Sequence, residues 1–167
     1  MTAVATRLLV VCLGNICRSP LAEGALRARI EASPLAGRVQ VDSAGTGDWH
    51  AGQPPDRRAV ACARGHGVDI AGLRARQIRA DDFQAFDWLL CADADNLRDV
   101  RRLSPPQARD RVVLLLDWAG TVPAGEVPDP YYGHADHFEE VWRLVDTAAQ
   151  AVVARLSPRP GSGIIGS

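Results

Sequence analysis

The run from Leu8 to Glu23, LLVVCLGNICRSPLAE, limits what this chain can fold into more than any other stretch. An apolar strand, read from Arg7 to Val11, delivers Cys12 into a short loop that holds Gly14 and Asn15 and ends in Arg18-Ser19-Pro20. A helix follows, read from Pro20 to Ile30 with Pro at its first position, where the missing N–H costs nothing. Strand, tight loop and helix in that order form the opening unit of a parallel α/β sheet. The loop N–H groups, backed by the positive end of the helix, make a cradle for a tetrahedral oxyanion. Cys12 faces that anion.

The rest of the chain continues the alternation. Val39 to Ser43 reads as a second strand, and Pro55 to Arg64 as a helix stopped by Gly65. A short helical turn from Ala80 to Phe86 leads to a strand from Trp88 to Cys91. Asp93 caps a helix running to about Leu103, the pair Pro105-Pro106 breaks it, and Arg111 to Leu115 is a fourth strand. The last helix is read from His137 to Leu156, with Asp136 and Glu139 as a capping box and an apolar stripe from Phe138 to Val152. Four such strands with intervening helices predict an α/β single domain with a four-stranded parallel sheet and helices on both faces. The phosphate-binding loop then sits at the carboxyl end of the first strand, where doubly wound sheets place ligands. The domain is expected to occupy residues 1–156. Ser157 to Ser167 has no periodic face and is expected to be a disordered tail.

Composition narrows the chemistry. The 167 residues contain 19 basic and 20 acidic side chains, a formal charge of −1, which predicts no nucleic-acid partner. All the basic residues are arginines, which excludes a Walker-type phosphate loop and Schiff-base chemistry. The apolar runs are too short to insert into a membrane, and no secretory leader is read at the N-terminus, so the expected location is cytoplasmic. Four irregularly spaced cysteines, Cys12, Cys17, Cys62 and Cys91, are expected as free thiols, with the last two in the core.

The loop supplies a phosphoryl-transfer site from its own residues. Arg18 offers a planar fork to two phosphate oxygens, a geometry lysine cannot reproduce. The N–H groups of Leu13, Gly14, Asn15, Ile16, Cys17 and Arg18 surround the oxygens that gain charge, and Gly and Asn tolerate the left-handed backbone this requires. A helix N-terminus and a neighbouring Arg favour the nucleophilic thiolate, and the Ser19 hydroxyl can donate to it. Cys17 is either a packing residue or a redox partner that traps oxidised Cys12 as a disulfide.

A departing oxygen needs a proton. Asp129, held between Pro128 and Pro130 on a stiff loop at the same sheet edge, is the expected general acid, with Asp117 and Glu126 as nearby competitors. Trp49, Tyr131 and Tyr132 fall in the two loops flanking the cradle and, with Leu13, are the expected contacts to an aryl phosphate. His134, Asp136 and His137 are explained by a solvated, capped helix start, so the sequence calls for no metal and no cofactor.

VCLGNICRSP, together with SAGT at Ser43–Thr46, NLRD at Asn96–Asp99 and DPYYG at Asp129–Gly133, closely resembles the low-molecular-weight protein-tyrosine phosphatases over residues 7–156. The resemblance implies that Cys12 forms a phosphocysteine intermediate, Arg18 binds phosphate, and Asp129 is acid and then base. Asn15, Ser19 and Ser43 would form the hydrogen-bonded support of the loop. Many members carry a histidine that buttresses the loop asparagine; here Leu73 stands in its place. The implied reaction is metal-independent hydrolysis of phosphotyrosine in proteins, releasing inorganic phosphate, by a monomer or weak dimer. Two alternatives use the same fold. An arsenate reductase would need downstream cysteines as a relay, which Cys91 lacks, and phosphoarginine phosphatases tend to carry Thr where Ile16 stands.

Overall fold

In a computed structural model, which describes residues 4–121 and 124–157, β1 (Thr6–Cys12) runs through the interior of a four-stranded sheet. Its neighbours are β2 (Val39–Gly45) and β3 (Trp88–Cys91), and β4 (Val112–Leu114) lies beyond β3. The order is β2-β1-β3-β4 and every pairing is parallel. Successive strands therefore leave β1 in opposite directions across the sheet, and Cys12 ends β1 at the point where they diverge.

Period-two alternation along β1 feeds two cores. Leu8, Val10 and Cys12 face α1 (Arg18–Glu31), α2 (Arg57–Gly65), α5 (Leu115–Ala119) and α6 (Ala135–Leu156). Leu9 and Val11 face Phe83 of α3 (Asp82–Ala85), Val100 of α4 (Ala94–Leu103), and Ala108 of a 3-10 helix, Pro106–Arg111. Each fully buried leucine contributes about 1.5–3 kcal/mol against the entropy of ordering the chain. Helices thus cover both faces, as expected. None of the described helices is long and apolar enough to cross a membrane.

Several boundaries differ from expectation. The first helix begins at Arg18, not Pro20, so Pro20 is its third residue and Cys17 its N-cap. Helical backbone therefore starts inside the loop, at Arg18. α1 is buried from Arg18 through Leu26, because the sheet and α6 enclose it, with Arg29 making two bonds of 2.8 Å to Asp146 of α6. α2 begins after Asp56, whose carboxylate accepts from Arg58 N–H, and extends through Gly65. The left-handed residue that ends it is Gly67, at φ 81°.

The capping box of the last helix is not Asp136 with Glu139. His134 is the N-cap, its N–H donates to His137 Nδ1 at 2.8 Å, and the helix starts two residues early. The fourth strand stops at Leu114, and Leu115, read as its end, begins α5, closed by left-handed Gly120 at φ 75°. The expected tail lies, apart from Ser157, outside the described residues.

Candidate active site

The loop closes around Cys12 because its carbonyl groups are tied outward. Thr46 N–H donates to Cys12 O (2.9 Å), Gly47 N–H to Leu13 O (2.9 Å) and Asp56 N–H to Ile16 O (2.8 Å). With those oxygens turned away, the cradle is lined by N–H groups. Gly45 permits the approach: a Cβ there would stand 2.6 Å from Leu13 O. Asn15 takes the left-handed turn, at φ 57°, as the one non-glycine residue with positive φ among those described.

Side chains lock this shape. Asn15 Nδ2 donates to Ser19 Oγ (2.8 Å) and to Ser43 Oγ (3.0 Å), while Oδ1 accepts from Arg76 N–H (3.0 Å). Having accepted from Asn15, Ser19 can direct its own proton at Cys12 Sγ, 3.0 Å away, and Asn15 N–H adds a second donor at 3.3 Å. Ser43 in turn donates to Glu23 Oε1 at 2.6 Å, and Arg27 lies 2.7 Å from Oε2. Glu23 is 1% exposed, and burial pushes its carboxyl up, opposed by the Ser43 hydrogen bond and the Arg27 charge.

Arg18 is also buried. Burial alone would lower its pKa, but the Cys12 charge and the Asp93 carboxylate outweigh it and hold the guanidinium charged. Nη1 donates to Asp93 Oδ2 (2.6 Å) and Val127 O (3.0 Å), and Nη2 lies 3.6 Å from Asp129 Oδ2. Cys12, Arg18 and Asp129 line one cavity of about 210 Å³. Leu13, Trp49, His50, Tyr131 and Tyr132 form its rim. Trp49 lies over Gly47, where any side chain would collide with the indole, and the Tyr131 and Tyr132 rings meet edge to face at 4.9 Å. Arg58 donates to the carbonyls of Tyr131 (2.8 Å) and Gly133 (3.2 Å), fastening the loop that carries Asp129.

The competing carboxylates are engaged elsewhere. Asp117 accepts from Gly125 N–H and Glu126 from Ala94 N–H. Cys17 also lines the cavity, and burial pushes its thiol up, with Asp56 and Cys12 adding to it. Cys62 and Cys91 are buried, as expected.

Four contributors escape sequence reasoning. Asp93, read only as the α4 cap, does cap that helix but also anchors Arg18. Glu23 sits on a helix of ordinary polarity, and His50 occurs in a loop without periodicity. Arg76 acts through its backbone: Gly45 bridges Gln77 in parallel, extending the sheet edge just far enough to aim Arg76 N–H at Asn15. That amide provides the support sought in a histidine, while Leu73 packs partly buried against the core.

Residues 7–159 match the family model "Low molecular weight phosphotyrosine protein phosphatase". The chain belongs to that family. A low molecular weight protein-tyrosine-phosphatase of Streptomyces coelicolor is 45% identical over 154 residues, covering 89% of this chain and 92% of the relative. Among solved structures, the protein tyrosine phosphatase of Entamoeba histolytica superposes with a TM-score of 0.86 at 34% identity, covering 91% of this chain and 97% of that one. Vibrio vulnificus Wzb in complex with benzylphosphonate gives 0.80 at 28% identity, covering 90% and 99%. The four parallel strands and flanking helices of this phosphatase are thus those of its family.

Proposed function

We propose that this phosphatase hydrolyses phosphotyrosine in proteins, and small aryl phosphates, through a phosphocysteine intermediate formed on Cys12. The observation that carries the reading is the convergence of a thiol, a charged guanidinium and a loop carboxyl on one cavity, with Arg18 Nη2 3.6 Å from Asp129. Arg18 and the loop N–H groups take the non-bridging phosphate oxygens. The Cys12 thiolate attacks phosphorus in line; as the S–P bond forms, the P–O bond to the phenol breaks and Asp129 passes its proton to the leaving oxygen. Asp129, now a carboxylate, takes a proton from water, which attacks phosphorus and releases inorganic phosphate and the thiolate. Ser19 O–H and Asn15 N–H stabilise that thiolate.

The aromatic rim of Trp49, Tyr131 and Tyr132, with Leu13, suits an aryl ester. Ile16, rather than a polar residue, lines the cavity and favours phosphotyrosine over phosphoarginine. Cys91 is wholly buried in β3, which gives no support to a disulfide relay for arsenate. Cys17 serves as a reserve thiol that pairs with Cys12 after oxidation, releasing water from its sulfenic acid. Free thiols at all four cysteines fit a cytoplasmic enzyme. Residues 1–156 constitute the working domain. The test is turnover of p-nitrophenyl phosphate and of a phosphotyrosine peptide in the presence of chelator by wild type and Cys12→Ser. Wild type releases phosphate and the variant does not; turnover surviving in the variant overturns the mechanism.

A further inference from the structure

Behind the loop that carries Asp129, α2 and α6 bring together three groups that the phosphatase chemistry does not use. Cys62 and His66 stand one helical turn apart at the end of α2, and Glu139 faces them from α6. Cys62 Sγ is 3.4 Å from Glu139 Oε1, and His66 Nε2 is 2.7 Å from Glu139 Oε2. One ligand atom from each residue lies within 4.8 Å of the others. The His66 ring stacks on Trp142, with centroids 5.0 Å apart and planes at 12°, which fixes the plane in which its nitrogens point. The thiol is buried, whereas His66 and Glu139 open onto a surface hollow also bordered by Asp136, Glu140 and Asp146, opposed by Arg143. Asp146 is already paired with Arg29; the other carboxylates give the hollow an excess of negative charge.

We propose that Cys62, His66 and Glu139 form a binding site for one thiophilic divalent cation, zinc fitting best, with its fourth position open to water. Sulfur, imidazole nitrogen and a single carboxylate are a borderline-soft set that suits zinc and disfavours magnesium or calcium. Bonds of about 2.0–2.3 Å in a tetrahedron separate ligand atoms by roughly 3.3–3.7 Å. The Cys62 Sγ–Glu139 Oε1 separation already lies there, whereas His66 Nε2 touches the other oxygen, Oε2, so a rotation of the half-exposed Glu139 side chain is what offers one oxygen to the ion beside both. On binding, the thiol proton leaves to solvent, His66 presents a neutral nitrogen, and the Cys62 and His66 hydrogen bonds to Glu139 are replaced by metal bonds. The ion would clamp α2, whose Arg58 holds the Tyr131–Gly133 carbonyls, to α6, which follows that loop.

The experiment uses the full chain as Cys12→Ser, which removes the active-site thiol as a competing ligand. Anaerobic titration with cobalt(II) should raise a sulfur-to-cobalt charge-transfer band that saturates at one equivalent. Zinc should abolish the band and magnesium should not. The band should vanish in Cys12→Ser/Cys62→Ser, and His66→Ala or Glu139→Gln in the same background should weaken cobalt binding by more than about tenfold. Zinc should also raise the melting temperature of Cys12→Ser but not of the Cys62→Ser double variant. A band that is absent, that persists without Cys62, or that is untouched by His66→Ala and Glu139→Gln overturns the site. Circular dichroism of each variant verifies its fold; if Cys62→Ser fails to fold, the His66 and Glu139 variants decide. Because catalysis is disabled throughout, the outcome is independent of the proposed reaction.

Discussion

Replacing Asn15 separates two contributions that the loop combines in one residue, a left-handed backbone and a three-bond side chain. Asn15→Gly keeps the backbone at φ 57° without strain but removes the bonds to Ser19, Ser43 and Arg76 N–H. At about 1 kcal/mol for each buried bond, the expected loss is about 3 kcal/mol. Asn15→Ala loses the same bonds and adds about 1 kcal/mol for a left-handed alanine, giving roughly 4 kcal/mol. Urea unfolding followed by tryptophan fluorescence measures both. In each variant kcat/KM for p-nitrophenyl phosphate should fall and competitive inhibition by inorganic phosphate should weaken, because the N–H groups no longer converge. A Gly variant within about 0.5 kcal/mol of wild type would refute the network's role. Ala and Gly variants of equal stability would refute the backbone argument.

Asp93→Asn keeps a good helix N-cap but removes the carboxylate charge that pairs with buried Arg18, so both kcat/KM and stability in urea unfolding should fall; Asp93→Ala should lose about 1 kcal/mol more. In Asp129→Ala, turnover should fall far more for phosphotyrosine, whose phenol has a pKa of about 10, than for an activated aryl phosphate; equal losses in steady-state kinetics would remove Asp129 as the acid. A Cβ at Gly24 would meet Ile70 Cγ2 at 2.6 Å and Val68 Cγ1 at 3.1 Å, so Gly24→Ala should destabilise by about 1–3 kcal/mol despite its better helix propensity, measured by thermal melting. Burial raises the folded-state pKa of Glu23, so its contribution is complete below the ordinary carboxylate range and is lost as pH rises through the raised value. Between about pH 4 and about pH 7 the urea midpoint of Glu23→Gln should therefore move in the variant's favour relative to wild type.

What could be read in advance follows contiguity along the chain. Cys12, the loop and Arg18 are adjacent in sequence, and the strand and helix that hold them announce themselves by apolar period and by Ser-Pro. The position of Asp129 at the cavity is readable because Pro128 and Pro130 stiffen the backbone on either side of it. The failures concern partners brought by the fold. Glu23 carries no local mark of burial, since α1 has no solvent stripe over most of its length once the sheet and α6 enclose it. The His134–His137 cap has no distinct mark in the sequence, because an imidazole nitrogen can accept from an N-cap amide as a carboxylate does and acidic residues stand beside it.

Arg76 illustrates why residue identity alone is an unsafe guide to such partners. A side-chain buttress for Asn15 would leave a mark in the sequence, and with Leu73 in the expected position the loop looks unsupported. The donor used instead is a main-chain amide, which every residue but proline possesses, and what places it is the parallel bridge between Gly45 and Gln77. Gly45 serves both sides of that arrangement: lacking a side chain, it admits Leu13 O at close range, while its own N–H bonds Arg76 O at 2.8 Å. The loop geometry of this phosphatase is therefore held at the end of β2 by backbone hydrogen bonds, and substitutions of the Arg76 side chain should disturb it less than substitutions that displace the strand edge.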